Sequence, residues 1–529
     1  MDIFDGMVWD GGHLAPSRLA MASEFYLAKR IACAAQTRGG KGGKGGNLQK
    51  PAILRFSRAR LGGRKVSERA GNLLACPSSR RYERITRMSP SGPFREGNRM
   101  SLVRLAAVAA LAVCVALPAA AQGIPKAQSP EEVGFQSSRL KRISDRLEEG
   151  VKNNELPGAV VLIARNGKLV MFDSFGFRDK DAKAPMKTDT IFRIASMTKP
   201  IVTVAAMILV EEGKLSVADP VSRYIPAFAD TKVAVSKTNV DGTVEISQEP
   251  QIRQMTVQDL MRHTSGLTYA EVGANPVKQS YIDMKVADRN QTLAEMADKL
   301  AKLSLLYQPG TTWEYSMSVD LLGRVVEVAS GMPLDKFIEE RITKPLKMGD
   351  TAFEVGADKK ARGARPMKEG PKNEMPSIPD VSEKFAWRSG GGGMVSTAAD
   401  YARFLQMFAN GGQLDGVRLI SRKTIDLMTA DALPPDIKMG ADMWRFEAME
   451  PSARMGQGFG LGFAVRTEQG RNPLPGSPGD YYWGGAYGTY FWHDPHERMY
   501  VVFMMQSPAA RLRYRYLLRD LVYQALIGN

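Results

Sequence analysis

The stretch that decides the fold is FRIASMTKPIVTVAAMILVEEGKL, residues 192–215. From Ile201 to Val210 it is apolar almost all round, which predicts a buried helix. Ser196 and Lys199 stand at the start of that helix, three residues apart. Residues at this spacing share one helix face, so the lysine amine can reach the serine hydroxyl. A serine paired with a lysine is one known way to activate a weak nucleophile without histidine.

The Ser-x-x-Lys pattern is weak when it stands alone, because Ser138 to Lys141 matches it as well. That second match heads a charged stretch with no apolar run behind it. Ser196 instead follows two β-rich runs and opens a buried helix. On the pattern alone, Ser196 is either a nucleophile or a simple N-cap serine.

The chain around this helix alternates between β-rich and helical patterns. Asn166-Gly167 joins the β-rich runs 158–165 and 168–175, which predicts a hairpin. Apolar spacing predicts a helix before the hairpin, through Leu140, Ile143, Leu147 and Val151. Further helices are predicted at 256–262, 292–303, 319–329, 333–344 and 511–526, and strands at 458–466, 487–493 and 499–506.

This order predicts an α/β (α+β) domain built from both ends of the chain, 122–225 and 385–529. A helical domain, 226–384, is inserted between the two parts.

The segment before this domain is predicted to be a secretory signal peptide at 100–121. Arg104 precedes an apolar run from Leu105 to Leu117, and Ala119-Ala120-Ala121 follows as a cleavage site. The thirteen apolar residues are too few for a membrane-spanning helix, which needs about 20. Export to the periplasm or medium is therefore expected, with no stable membrane anchor after cleavage.

Residues 1–99 are then expected to be a non-native upstream extension or a disordered leader, with translation starting at Met100. The alternative is a basic arm for nucleic acid or membrane, but a signal-like segment behind such an arm would have no purpose.

Charge and cysteine content support this division. The formal net charge is +16, yet residues 1–121 hold 20 Lys and Arg against 7 Asp and Glu, and the remainder holds 52 against 49. The mature part therefore offers no basic surface for nucleic acid. Cys33, Cys76 and Cys114 all precede the cleavage site. A disulfide framework, a thiolate nucleophile and a cysteine-bound metal are excluded for the mature chain.

Three later segments strengthen the catalytic interpretation of Ser196. They are Trp313-Glu314-Tyr315-Ser316, Trp483-Gly484-Gly485-Ala486 and GGGGMVSTAADYARFLQM at 390–407. With HTSGL at 263–267, this ordered set resembles the class C β-lactamases, the DD-peptidases and above all the carboxylesterases of the same fold. The resemblance covers about 125–529 and implies a β-lactamase/transpeptidase-like fold, an antiparallel sheet flanked by helices with an inserted all-helical domain.

The resemblance also implies roles for individual residues. Ser196 would be the acylated nucleophile, and Lys199 and Tyr315 would share its proton, with the true base left open. The Lys199 cation would favour a Tyr315 phenolate. The backbone N–H groups of Ser196 and Ala486 would form the oxyanion hole. Gly484 and Gly485 would let the backbone approach the substrate.

Two departures from the β-lactamase pattern favour neutral esters over lactams and D-Ala-D-Ala peptides. Met317 stands where Tyr-x-Asn has its asparagine, and Trp483 stands in place of the lysine of Lys-Thr-Gly. That lysine helps hold a substrate carboxylate, whereas a tryptophan on an edge strand would offer an apolar face. Trp313 and Trp387 either line the substrate pocket or fill the core.

Other candidate sites receive structural interpretations. His263 is predicted to be a packed turn residue, and His493 and His496 flank a hairpin turn at Pro495 rather than a metal site, for which no third ligand is evident. Neither a G-x-S-x-G elbow nor a P-loop is present, and no cofactor is expected.

The sequence therefore predicts a secreted serine hydrolase that acts on short-chain carboxylic esters. Three alternatives stay open: β-lactamase or DD-peptidase activity, acyl transfer from the same acyl-serine, and a non-catalytic protein that binds cell-wall fragments.

Overall fold

The computed structural model describes residues 123–238, 244–270 and 275–528. The upstream extension, the signal peptide and the three cysteines predicted from the sequence lie outside these described residues. The strands are β1 Gly158–Arg165, β2 Lys168–Asp179, β3 Ala184–Pro185, β4 Phe192–Arg193, β5 Lys232–Thr238, β6 Val244–Pro250, β7 Thr312–Trp313, β8 Val395–Ser396, β9 Gln413–Leu414, β10 Val417–Arg418, β11 Lys438–Met439, β12 Gln457–Phe459, β13 Ala464–Arg466, β14 Tyr481–Gly484, β15 Tyr490–Asp494 and β16 Met499–Met505. The α-helices are α1 Ser137–Lys152, α2 Thr198–Glu211, α3 Val257–Met261, α4 Pro276–Asp283, α5 Leu293–Leu300, α6 Ser318–Ser330, α7 Leu334–Ile338, α8 Ala398–Ala409, α9 Arg422–Thr429 and α10 Arg511–Tyr523.

An eight-stranded sheet joins the two ends of the described chain, in the order β12-β13-β14-β15-β16-β1-β2-β3. Its strands pair antiparallel, and β1 lies against β16 with Ala159 opposite Met505 and Arg165 opposite Met499. All residues of β1 and β16 are buried, so both faces of the sheet are covered at its centre. The predicted class, an antiparallel sheet flanked by helices, is confirmed.

Local sequence explains the hairpin that starts the sheet. Asn166 and Gly167 connect β1 to β2 with φ of 54° and 73°. Positive φ at both central residues is the geometry of a tight hairpin turn that follows the natural strand twist.

Helices cover this sheet and bring the site together. The buried side chains of α1 are Leu140, Ile143 and Leu147, and α1 packs on α10 and β2. Helix α8 packs on β16 and β1, while α2 packs against α6. That last contact matters most, because Ser196 lies just before α2 and Tyr315 just before α6. Across the described ranges, no helix combines the length and apolar character that a bilayer crossing requires.

The C-terminal strands differ from their predicted bounds because of glycine turns. The predicted strand 458–466 is two strands, β12 and β13, with Gly462 at φ 88° between them. The predicted strand 487–493 begins only at Tyr490, since Gly488 at φ 118° belongs to a turn. Trp483 lies on β14, an inner strand between β13 and β15, and not on an edge strand.

The inserted segment 226–384 is not helical throughout, which corrects the prediction of an all-helical domain. Strands β5 and β6 form an antiparallel hairpin inside it. Val233 is buried there, and Ala234 donates a backbone hydrogen bond to Leu305 at 2.9 Å. The buried Val233 side chain and the backbone hydrogen bond to Leu305 attach this hairpin to the rest of the insert. Charged residues interrupt the apolar–polar alternation of its strands, so the pattern did not predict them. The division of the chain at 225 and 385 stays a prediction.

Candidate active site

The turn that carries Ser196 is a short 3-10 helix, Ala195–Met197, which leads into α2. The α-helix therefore begins two residues after the serine and not at the serine itself. Ala195 has φ of 43°, a left-handed conformation that costs a non-glycine residue about 1–3 kcal/mol. Such strain persists only where the surrounding structure holds it, and it often occurs beside reactive groups. The N–H of Ser196 lies in the first turn, where it has no partner inside the helix.

The structure brings Ser196, Lys199 and Tyr315 together. The Tyr315 hydroxyl donates a hydrogen bond of 2.6 Å to Ser196 Oγ, and Lys199 Nζ lies 3.1 Å from the same oxygen. Lys199 Nζ also lies 4.6 Å from the centre of the Tyr315 ring. Lys199 and Tyr315 are thus each within proton-transfer distance of the Ser196 hydroxyl, as a lysine- and tyrosine-assisted serine requires.

Lys199 is 1 % exposed, so its ammonium group depends on protein partners. Besides Ser196 it donates to the Gly391 carbonyl at 2.7 Å and to the Tyr269 hydroxyl at 3.2 Å. Within the described part of the chain, no carboxylate forms an ion pair with it. A buried cation of this kind needs a counter-charge nearby.

Asp320 supplies that counter-charge indirectly. Its carboxylate accepts from Gly391 N at 3.0 Å and Ser389 Oγ at 2.5 Å, and from the Tyr269 hydroxyl at 3.4 Å. Gly391 and Tyr269 therefore each bridge Asp320 to Lys199. Burial raises the pKa of Asp320, and the Lys199 charge partly offsets that rise.

These partners were not predicted from the sequence, although each lies close to one of the motifs. Tyr269 follows HTSGL by two residues, Gly391 lies in the glycine run, and Asp320 comes five residues after Tyr315. A carboxylate in the first turn of α6 also suits the positive end of the helix.

Trp483 lies against Tyr315 and is 2 % exposed. Its indole N–H donates to the Tyr315 hydroxyl oxygen at 3.3 Å. The ring stacks on Phe446 and packs edge-on against Phe459. Little of its apolar face is left for a substrate, so its contact with the site is mainly the hydrogen bond to Tyr315.

Trp313 is fully buried among aromatic rings and does not reach the surface of the site. It stacks on Tyr315 at 6.2 Å and packs edge-on against His263 at 6.0 Å. Of the two interpretations from the sequence, Trp313 therefore fills the core and does not line the substrate pocket.

Two of the histidines in the suspected turns, His263 and His493, are buried and neutral, whereas His496 is exposed. His263 lies in a turn with φ of 59°, and burial holds its pKa well below the usual value, assisted by the Lys199 charge. It is a packed turn residue, as predicted. His493 is the last residue but one of strand β15 and lies beside the Tyr481 hydroxyl, and burial lowers its pKa to about 4. Among residues that the structure describes, no group of three His, Cys, Asp or Glu side chains is arranged to hold a metal.

The predicted oxyanion segment, Gly484–Ala486, runs beside the serine turn. The Thr489 hydroxyl donates to the carbonyl of Ile194 at 3.1 Å, two residues before Ser196. A side chain at Gly485 would meet that same carbonyl at 2.3 Å, so only glycine permits this approach.

Arg515, which was not predicted from the sequence, holds the Gly484–Ala486 segment in place through hydrogen bonds. Its guanidinium donates to the carbonyls of Gly485 and Thr489, and a Cβ at Gly484 would lie 2.6 Å from it. Burial lowers the pKa of Arg515 to about 10, so it stays charged at neutral pH. Helix α10 thereby holds the turn that carries Ala486 against the serine.

Comparison with known proteins places this arrangement in a family. Residues 143–524 match the beta-lactamase family. The chain is 36% identical over 362 residues to the uncharacterized protein MT1414 of Mycobacterium tuberculosis, covering 66% of this chain and 86% of that protein. It is 32% identical over 379 residues to the esterase EstB of Burkholderia gladioli, with the same coverage of 66% and 86%.

A solved structure agrees with this assignment. EstCE1, described as a hydrolase with promiscuous acyltransferase activity, is 26% identical, has a TM-score of 0.59 and covers 73% of this chain and 99% of its own. With the serine, lysine and tyrosine side chains in contact on an antiparallel sheet flanked by helices, the chain belongs to the beta-lactamase family, which includes serine hydrolases and acyltransferases.

Proposed function

We propose that the chain is a serine hydrolase that forms an acyl-enzyme on Ser196 and cleaves short-chain carboxylic esters. The observation that carries this proposal is the contact of Ser196 Oγ with both Tyr315 and Lys199, at 2.6 and 3.1 Å. A serine hydroxyl is a weak nucleophile until a neighbouring base takes its proton, and this pair is placed to do so.

The reaction proceeds in two halves. Ser196 Oγ bonds to the ester carbonyl carbon while its proton passes to the Tyr315–Lys199 pair. The N–H groups of Ser196 and Ala486 stabilise the oxyanion, at about 3–4 kcal/mol per donor in comparable sites. The C–O bond then breaks, and the alcohol leaves with that proton. Water attacks the acyl carbon, and release of the carboxylic acid restores the serine hydroxyl.

Esters are favoured over lactams because the site lacks a cation at position 483. An unpaired substrate carboxylate would cost several kcal/mol to bury, and Trp483 cannot form an ion pair. Met317 likewise offers no amide and is 1 % exposed. The relative EstB is named an esterase, which supports the same substrate class.

The test is a panel of p-nitrophenyl esters, nitrocefin and a D-Ala-D-Ala peptide, assayed with the wild type and Ser196→Ala. We expect turnover of short-chain esters, little or none of nitrocefin, and loss of all turnover in the variant. Faster turnover of nitrocefin than of p-nitrophenyl butyrate would replace the esterase proposal with β-lactamase activity.

Acyl transfer is a second candidate, since EstCE1 is described as having promiscuous acyltransferase activity. Transfer uses the same acyl-serine but passes the acyl group to an alcohol instead of water. Added alcohol acceptors would then give ester products in proportion to their concentration. Hydrolysis alone at high acceptor concentration would remove this candidate.

We further propose that the protein is exported, on the strength of the signal-like segment 100–121. N-terminal sequencing of the native protein should then give a start at or near Gln122. A mature protein that retains residues 1–99 would contradict export through this segment.

A further inference from the structure

Arg289 carries a cation that, among the described residues, contacts an aromatic ring and no carboxylate. Its guanidinium lies over the ring of Phe385, 5.0 Å from the ring centre, and the side chain is half-buried. Within residues 123–238, 244–270 and 275–528 it forms no ion pair and donates no side-chain hydrogen bond. An arginine on an aromatic face presents its planar fork to carboxylates, which it binds in a bidentate manner.

A second cation, Arg193, lies against the same ring, 5.6 Å from its centre. The Arg193 guanidinium is buried, and within the described residues it donates only to backbone carbonyls, those of Phe353, Asp380, Glu383 and Gly393. These carbonyls accept from Nη1 and Nη2 but leave Nε without a hydrogen-bond partner among the described residues, and they do not neutralise the charge. The acids whose charges act on it are Glu383, which is exposed, and Glu354, which Arg388 already pairs.

Both cations act on Tyr487, the residue directly after the proposed oxyanion donor Ala486. Burial raises the pKa of the Tyr487 hydroxyl, and the charges of Arg289 and then Arg193 oppose that rise. Tyr487 is 5 % exposed, so little water screens its hydroxyl from these charges. Positive charge thus lies close to the segment that carries the proposed oxyanion donor Ala486.

The backbone links Arg289 firmly to the reactive groups. Trp387 N donates to the Arg289 carbonyl at 3.1 Å. Four residues further on, Gly391 accepts the hydrogen bond from Lys199. Arg193 lies three residues before Ser196 on the same turn of chain. The backbone at both arginines is therefore connected to the segments that carry Ser196 and Gly391.

From this arrangement we infer that the preferred esters carry a carboxylate on their acyl group, which Arg289 binds beside Tyr487. The inference rests on the proposed function and names the substrate class of that site. Position 483 carries a tryptophan and no cation, and Arg289 supplies the cation near Tyr487, at the other end of the 483–487 segment. Hydrolysis of such an ester yields a dicarboxylic acid and an alcohol, and needs no reactant besides water.

The test compares two esters of equal acyl length, p-nitrophenyl hydrogen glutarate and p-nitrophenyl valerate. The wild type should prefer the glutarate in kcat/KM. Arg289→Gln should lower the glutarate-to-valerate ratio by about tenfold or more, the effect of one charge-assisted hydrogen bond, and leave the valerate nearly unchanged. Arg289→Lys keeps the charge without the planar fork, so its glutarate-to-valerate ratio should lie between those of the wild type and Arg289→Gln.

The matched control is Arg341→Gln, which also removes an arginine from an aromatic face, that of Phe337 at 5.5 Å, outside the site. Its ratio should equal that of the wild type. Wild-type turnover of the valerate with no preference for the glutarate, or an unchanged ratio in Arg289→Gln, would overturn this inference alone. Failure of the wild type on both esters would overturn the proposed function as well.

Discussion

Replacing Trp483 by phenylalanine tests whether the indole N–H or the apolar ring is what matters at this position. The change removes the donor that lies 3.3 Å from the Tyr315 oxygen. A hydrogen bond to a charged group contributes about 1.5–3 kcal/mol, and Tyr315 becomes charged when it gives up its proton. Since about 1.4 kcal/mol is a factor of ten, kcat should fall by roughly tenfold to one-hundred-fold.

The matched control for Trp483→Phe is Trp492→Phe on the neighbouring strand β15. Trp492 is also buried, but among described residues its indole N–H has no hydrogen-bond partner. Both variants lose similar buried volume, so both should lose stability, by about 1–3 kcal/mol in urea unfolding.

The assay is kcat for p-nitrophenyl butyrate, and only Trp483→Phe should lower it. If Trp483→Phe kept kcat within about twofold of Trp492→Phe, the hydrogen bond to Tyr315 would have no role in the reaction.

Three further outcomes are expected. Tyr315→Phe and Lys199→Ala should each lower kcat by orders of magnitude while the double variant loses little more, because such groups act as a unit; additive losses measured in the double variant would contradict this. Asp320→Asn keeps the acceptor for Gly391 but removes the charge near Lys199, so kcat should fall at least about tenfold. The melting temperature should change little, because burial already disfavours the charged form of Asp320. An unchanged kcat would show that the contacts from Asp320 through Gly391 and Tyr269 do not position Lys199. Folding lowers the pKa of His493 to about 4, so between about pH 6.5 and 4 only the unfolded chain binds this proton. The free energy of unfolding should therefore fall by up to about 3 kcal/mol as the pH falls through that window. Urea unfolding at pH 7 and pH 4.5 should show a smaller fall for His493→Gln than for the wild type.

Much of the framework could be predicted because short local patterns determine it. The Asn166-Gly167 turn, the apolar run before Val210 and the spacing of Ser196 and Lys199 each carry their own physical reason within a few residues. The ordered motifs then identified Tyr315 and Ala486 through resemblance to a family.

The residues that the sequence did not reveal act across long chain separations. Asp320 and Gly391 meet through a hydrogen bond between segments 71 residues apart. Arg515 reaches the carbonyl of Gly485 from the last helix. The direction of the Trp483 indole depends on the packing of Phe446 and Phe459, which no local pattern encodes. Side-chain orientation in a closed core follows from packing, so a sequence pattern could place Trp483 near the site but not its N–H on Tyr315.

The most direct test of the central claim is mass spectrometry of the protein after reaction with a fluorophosphonate. Such a probe is attacked by a serine hydroxyl that a neighbouring base has activated. We expect one adduct per chain, located on Ser196 by peptide sequencing and absent in Ser196→Ala. An unlabelled wild-type protein, or an adduct on any other residue, would contradict the assignment of Ser196 as the nucleophile.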